Sequence, residues 1–328
     1  MPGLVESVPN FSEGRRLDVV DKIAHAVASI PGAKLLDRTS DASHNRSVLT
    51  IAGEPDAVTR ALEEAVAVAI DEIDMERHTG EHPRIGAVDV IPFVPLAGTS
   101  MAACIDLARE FGRRIAERFE LPVYLYAEAA VRADRVKLAE VRRGQYEGLK
   151  AEVGQPGRTP DFGRARLHPS AGAVAVGARP FLIAWNINLE SDDVDVAKRI
   201  ARRVRESGGG LPKVQANGFE VLEPARGHPR RAQVSMNLLD FEVTPMWRVW
   251  EAVADEAAAE GVEVAESELV GLAPLAAFLD VAERAGAPAD MPVEDRLKAA
   301  ADFLRLRDFS PLQALELRLE AARAGQAT

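Results

Sequence analysis

A chain of 328 residues, 47% of them hydrophobic, is long enough for about two domains with real cores, which excludes an intrinsically disordered protein. A formal net charge of −11 argues against general nucleic-acid binding, and no stretch reaches the roughly 18 uninterrupted apolar residues that a membrane span needs. The single cysteine, Cys104, allows no intramolecular disulfide, and the N-terminus lacks the basic and apolar regions of a signal peptide, so a cytoplasmic location is expected.

In chain order, β-branched runs predict strands over 4–9, 34–38, 46–53 and 87–94, and apolar residues at helical spacing predict helices over 15–29 and 55–74. Pro31-Gly32 stops the first helix, and Pro55 opens the second in its first turn. The order β-α-β-β-α-β is the split βαβ pattern of ferredoxin-like sandwiches, an α+β fold. A helix over 100–118 and a strand over 122–127 extend this unit, and residues 142–179 read as a long, Gly- and Pro-containing connection, a feature usually functional or disordered.

The same order recurs with strands over 180–189, 213–221, 231–240 and 264–270 and helices over 192–206 and 245–260. At a constant offset Asp18, Val19, Ile23, Ala24, Val27 and Gly32 meet Asp195, Val196, Ile200, Ala201, Val204 and Gly209, which favours a tandem duplication. The expected domains are 1–178 and 179–328, with a ligand groove between two sandwiches. From Val293 onward the chain reads as helical packing elements broken at Pro311.

The chemistry concentrates in Arg77-His-Thr-Gly-Glu-His-Pro-Arg-Ile-Gly-Ala-Val-Asp89, where charged groups crowd a loop entering an apolar strand. Buried charge must be paired or it neutralises, so such a density points to an active-site loop centred on His82. The spacing His78-Thr-Gly-Glu-His82 also fits a zinc-peptidase pattern, but that needs a continuous helix, which Gly80 and Pro83 oppose. No metal is therefore expected, and a plain reading, in which the histidines are only hydrogen-bonded loop residues, stays open. Asp37 or Asp41, in a polar cluster with His44, Asn45 and Arg46, is placed to orient His82 and favour its charged form. Asn10, Asn186, Asn188 and Asn237 stand on or beside apolar strands and form a set suited to a polar ligand, although any one of them is more often a satisfied structural amide. Residues 198–231 hold nine Lys or Arg against three Glu, either a solvated helix face with a basic loop or an attractor of small polyanions. No phosphate-binding loop, dinucleotide fingerprint or serine nucleophile elbow is present, and Cys104, inside a predicted helix, reads as a buried structural thiol.

Val5-Glu-Ser-Val-Pro-Asn-Phe-Ser-Glu-Gly14, His44-Asn-Arg-Ser47, Gly80-Glu-His-Pro-Arg-Ile-Gly-Ala-Val-Asp89, Pro122-Val-Tyr-Leu-Tyr-Ala-Glu128, Pro160-Asp-Phe-Gly163, Phe181-Leu-Ile-Ala-Trp-Asn-Ile-Asn-Leu189 and Asn237-Leu-Leu-Asp-Phe-Glu242 together resemble glutamate formiminotransferase over about residues 4–275. The resemblance is to the form without a fused cyclodeaminase. It implies transfer of a formimino group from N-formimino-L-glutamate to tetrahydrofolate, which acts as co-substrate, within two ferredoxin-like subdomains that hold folate in a tunnel. It places the catalytic histidine on His82 and the folate-binding stretch on Gly163, Arg164, Ala165, Arg166, Leu167, His168, Pro169, Ser170, Ala171 and Gly172. With that chemistry, Arg46 and Arg84, near the site, become candidates for clamping substrate carboxylates, and the basic strip for meeting a polyglutamate tail. A homodimer through the N-terminal subdomain is also implied. Two other readings remain: a glutamate formyltransferase using N-formyl-L-glutamate, and a non-catalytic folate-binding module. A carboxylate beside His82 would favour the cationic formimino donor over the neutral formyl donor.

Overall fold

The computed structural model describes residues 3–42, 44–223 and 228–325. The chain divides into two compact units, Met1–Pro180 and Phe181–Thr328.

In the first unit, β1 (Val5–Ser7) and β2 (Asn10–Phe11) are two halves of one strand interrupted at Val8-Pro9, where proline brings no N–H to the ladder. Helix α1 (Leu17–Ala28), strands β3 (Ala33–Asp41) and β4 (Arg46–Gly53), helix α2 (Pro55–Glu72) and strand β5 (Val88–Pro95) follow. The strands lie in the order β3, β4, β1/β2, β5, all antiparallel, which is the ferredoxin-like arrangement. Val19, Ile23 and Val27 of α1 and Val58, Leu62 and Val66 of α2 recur every three or four residues and bury one stripe against the sheet.

Beyond β5 the unit departs from a plain sandwich. Helix α3 (Met101–Phe119) leads to strand β6 (Val123–Ala127), short helices α4 (Leu138–Val141) and α5 (Gln145–Glu152), and strand β7 (Val174–Ala178). Strand β7 inserts between β5 and β6, parallel to both. The expected featureless connection over 142–179 is thus corrected: it carries α5 and a fully buried strand. Small residues in β7 are a packing need, since a Cβ on Gly177 would meet the Tyr126 carbonyl at 2.5 Å and its ring at 2.6 Å.

The second unit repeats the arrangement with β8 (Ile183–Leu189), α6 (Val194–Val204), β9 (Val214–Glu223), β10 (His228–Leu238), α7 (Met246–Ala259) and β11 (Val264–Val270). Its four strands lie in the order β11, β8, β10, β9, again antiparallel. Ile183, Trp185, Ile187 and Leu189 alternate onto the core face, where Trp185 stacks on Trp250 at 6.2 Å. The aligned glycines Gly32 and Gly209 have φ of +90° and +87°, so both copies carry a left-handed glycine a few residues beyond the end of their first helix. Helices α8 (Leu275–Arg284), α9 (Val293–Phe303) and α10 (Leu315–Arg323) complete the unit, α8 being an element that the sequence pattern did not announce.

Candidate active site

The loop over 73–87 is irregular throughout, as Gly80 and Pro83 require, so His78 and His82 do not share a helix face. Three contacts hold the loop against the β3–β4 hairpin. Asn45, at φ +49°, accepts the Gly14 N–H at 2.9 Å and donates to the Thr79 carbonyl at 2.9 Å. Its own carbonyl accepts from His78 Nε2 at 3.1 Å. Gly80 passes so close that a Cβ would lie 2.4 Å from the His44 carbonyl. Asn45 therefore builds the loop with its amide.

His78 is fixed from both sides. Its Nδ1 accepts from Arg84 Nε at 3.1 Å while Nε2 faces a carbonyl, so the Nε2–H tautomer is set by its partners. Burial pushes its pKa down. Arg84 is 6% exposed, and its remaining donors go to Gln145 at 3.1 Å, to Glu147 at 2.7 and 3.0 Å and to the His78 carbonyl at 3.3 Å. Its fork is thus engaged by α5 and by the loop itself.

His82 is 8% exposed. Burial first, then the positive charges of Arg142 and Arg46, followed by His44 and His78, pull its pKa down to about 3. A carboxylate partner would have raised it, so the expected orienting role of Asp37 or Asp41 is not what dominates here. The Asp41 carboxylate accepts the His44 N–H at 2.7 Å and faces His44 Nδ1 at 3.0 Å; Asp37 stands half-buried on β3 opposite Thr50. His82 is accordingly a neutral imidazole at physiological pH, with a lone pair able to accept a proton.

Two residues outside the expected site set, Asp89 at the end of the charged loop and Arg142, complete this corner. Asp89 is 1% exposed; one oxygen accepts the Ile85 N–H at 2.9 Å and the other accepts from Arg142 Nη2. Burial raises the Asp89 pKa, and Arg142 opposes that rise. Arg142 follows α4, some sixty residues from His82 in sequence, so no local spacing pointed to it.

The stretch 163–172 is sewn onto the same loop. His168 and Gly172 exchange backbone hydrogen bonds at 2.9 and 3.1 Å, and His168 Nδ1 accepts the Ala171 N–H at 3.1 Å. The Ser170 carbonyl accepts from Met75 N–H at 2.7 Å, the Ala171 carbonyl from Ala87 N–H at 2.9 Å, and the Ile85 carbonyl from Ala173 N–H at 3.0 Å. Gly86 faces Gly172 so tightly that a Cβ on Gly86 would sit 1.9 Å from the Ala173 carbonyl. Gly163 turns at φ +88°; Arg164, Ala165, Arg166 and Pro169 are exposed, Leu167 is half-buried, and Arg164 and Arg166 face Glu120 at 3.1 and 3.8 Å.

The asparagines fall into different places. Asn10 is half-buried and donates to the Val8 carbonyl at 3.2 Å. In the second unit Asn188 is fully buried, accepts from Gln233 at 2.9 Å and donates to Glu266 at 3.4 Å, which makes it a satisfied sheet amide. Asn186 and Asn237 are half-buried on the same sheet face, away from the core of that unit. The basic strip is largely neutralised within the unit: Lys198 faces Asp195, Arg199 and Arg203 face Glu260, Arg230 faces Glu220, and Arg231 faces Glu190 and Glu266. Arg226 lies outside the described residues. Cys104 is buried, and burial raises its thiol to about 11. Among the described residues no group of three or more His, Cys, Asp or Glu is arranged to hold a metal ion.

Comparison with known proteins decides the family. The family model for the formiminotransferase domain, N-terminal subdomain, matches residues 4–179, and that for the formiminotransferase domain matches residues 184–316. The chain belongs to the formiminotransferase family. It is 44% identical to the glutamate formimidoyltransferase of Streptococcus pyogenes, over 86% of this chain and 93% of that protein. It is 46% identical to the glutamate formimidoyltransferase of Thermoplasma acidophilum, over 85% and 91%. A formimidoyltransferase-cyclodeaminase from Sus scrofa is 48% identical over 86% of this chain and 52% of its own length.

Proposed function

We propose that this formiminotransferase moves the formimino group of N-formimino-L-glutamate to tetrahydrofolate, giving 5-formiminotetrahydrofolate and L-glutamate. One observation carries the residue-level reading: the loop bearing the buried, neutral His82 is hydrogen-bonded along 85–87 to the 168–173 segment, so the histidine and the folate stretch form one structure. In the step as written, the pterin nitrogen attacks the amidine carbon and a carbon–nitrogen bond forms. His82 takes the proton of the attacking nitrogen and returns it to the glutamate nitrogen as the old carbon–nitrogen bond breaks. Holding both substrates in one site supplies much of the remaining rate. The step needs no metal.

The cationic surroundings of His82 favour a neutral donor, and this keeps N-formyl-L-glutamate as the second reading. The test is turnover of tetrahydrofolate with each donor side by side, with the folate product identified by mass. Preference for the formimino donor supports the first reading, preference for the formyl donor the second, and folate binding without turnover a binding module. The reading further includes a cytoplasmic homodimer joined through the N-terminal unit, which light scattering and fractionation test. Among the described residues no helix is long and apolar enough to cross a membrane.

A further inference from the structure

The corner around His82 sets the charges of Arg46 and Arg142 against the carboxylates of Asp41 and Asp89, yet leaves hydrogen-bond donors of both arginines unused. Arg46, at the start of β4, and Arg142, after α4, are the two strongest charges acting on His82, and each acts on the other. Asp89 grips one end of the Arg142 guanidinium and Asp41 lies near Arg46, yet Nε of Arg46 and Nε of Arg142 are both buried without a hydrogen-bond partner. Buried donors are normally satisfied, and guanidinium edges are satisfied best by a planar, bidentate anion.

Resting on the formimino-transfer reading, we propose that Arg46 and Arg142 together seat the α-carboxylate of the donor, with Asp89 holding Arg142 in place. The α-carboxylate hangs on the very carbon that bears the reacting nitrogen. A seat beside His82 therefore brings the amidine within reach of the imidazole, whereas the side-chain carboxylate lies further along the donor and is held elsewhere. The same anion resolves the charge conflict, because a cationic amidine approaches two arginines only if it brings its own negative charge. Its arrival also offsets the charges that depress His82, so the base strengthens when the site fills. The groups facing His82 in this balance are Arg142, Arg46, His44 and His78.

The test compares N-formimino-L-glutamate with N-formimino-4-aminobutyrate, which lacks only the α-carboxylate, in the wild type, Arg142→Lys and Arg46→Lys. Lysine keeps the charge, including that facing Asp89, and loses the fork. The wild type is expected to lose on the order of 10²-fold in kcat/KM with the truncated donor, from the loss of charge-assisted bonds. Each variant should lose a comparable factor with the full donor and little more with the truncated one, while KM for tetrahydrofolate stays put. Equal losses by the variants on both donors would overturn the carboxylate seat while leaving formimino transfer intact. A wild type inactive with both donors would instead overturn the functional reading. As a readout apart from turnover, L-glutamate should shift the His82 ring resonances in the wild type and 4-aminobutyrate should not; equal shifts by both would overturn the seat.

Discussion

Replacing Asp89 by asparagine removes one charge and almost no volume from a buried ion pair of the first unit. Asparagine can still accept the Ile85 N–H, so the change isolates the partner charge of Arg142. Breaking a buried pair from one side costs roughly 3–5 kcal/mol, because the remaining charge is left uncompensated. Arg142 is 16% exposed and so keeps some water, which points to the lower end, about 3 kcal/mol. With a urea dependence of about 2 kcal/mol per molar, the midpoint should fall by roughly 1.5 M. The signal can be assigned, because Tyr124, Tyr126 and Tyr146 all lie in the first unit and Trp185, Trp247 and Trp250 all lie in the second. The tyrosine-reported transition should move. Adding Arg142→Met should recover most of the loss, since the orphaned charge goes with it. A shift worth under about 1 kcal/mol would refute the reasoning, for it would mean that the pair carries little charge interaction.

The backbone contact between the His82 loop and the 163–172 stretch leaves no room for a side chain, so Gly86→Ala should lower kcat/KM on the order of 10²-fold, with folate affinity falling alongside. A near wild-type rate would show that the two segments are not functionally joined. With its pKa lowered to about 3, folded His82 stays neutral while an unfolded histidine takes up a proton near pH 6.5. The sign follows: between pH 6.5 and 3 the unfolded state binds more protons, so stability rises with pH across that window. His82→Asn should flatten this slope, and the ring resonances of His82 in the free protein should show no titration step near 6.5. Because Arg199 and Arg203 already face Glu260, replacing both with alanine should change the preference for polyglutamylated over monoglutamylated folate by less than about twofold. A tenfold drop would reinstate the strip as a tail-binding surface.

The tandem order of strands and helices was legible because Val19, Ile23 and Val27, and their counterparts Val196, Ile200 and Val204, repeat at a helical interval between β-branched runs. Strand β7 was not, since Val174-Ala-Val-Gly-Ala178 offers small residues within a Gly-containing segment, and its strand character comes from being pressed between β5 and β6. Helix α5 hid behind Gly144 and Gly148, which weaken its periodicity. In the site, His82 stood out through the charge density around it. Arg142 did not, because its meaning depends on a chain crossing that no spacing records. Asn188 could not be placed for the converse reason: an amide on an apolar strand looks the same in sequence whether it meets a ligand or, as here, Gln233 and Glu266. Arg84 is a similar case, since its partners Glu147 and Gln145 lie sixty residues on and no local spacing shows them.

The central claim is that His82 carries the proton during formimino transfer. Single-turnover rates with N-formimino-L-glutamate and saturating tetrahydrofolate, for the wild type and His82→Ala, test it most directly. The account predicts a fall of roughly 10²–10⁴-fold in the variant with tetrahydrofolate affinity retained. A variant that transfers the group at close to the wild-type rate would contradict it.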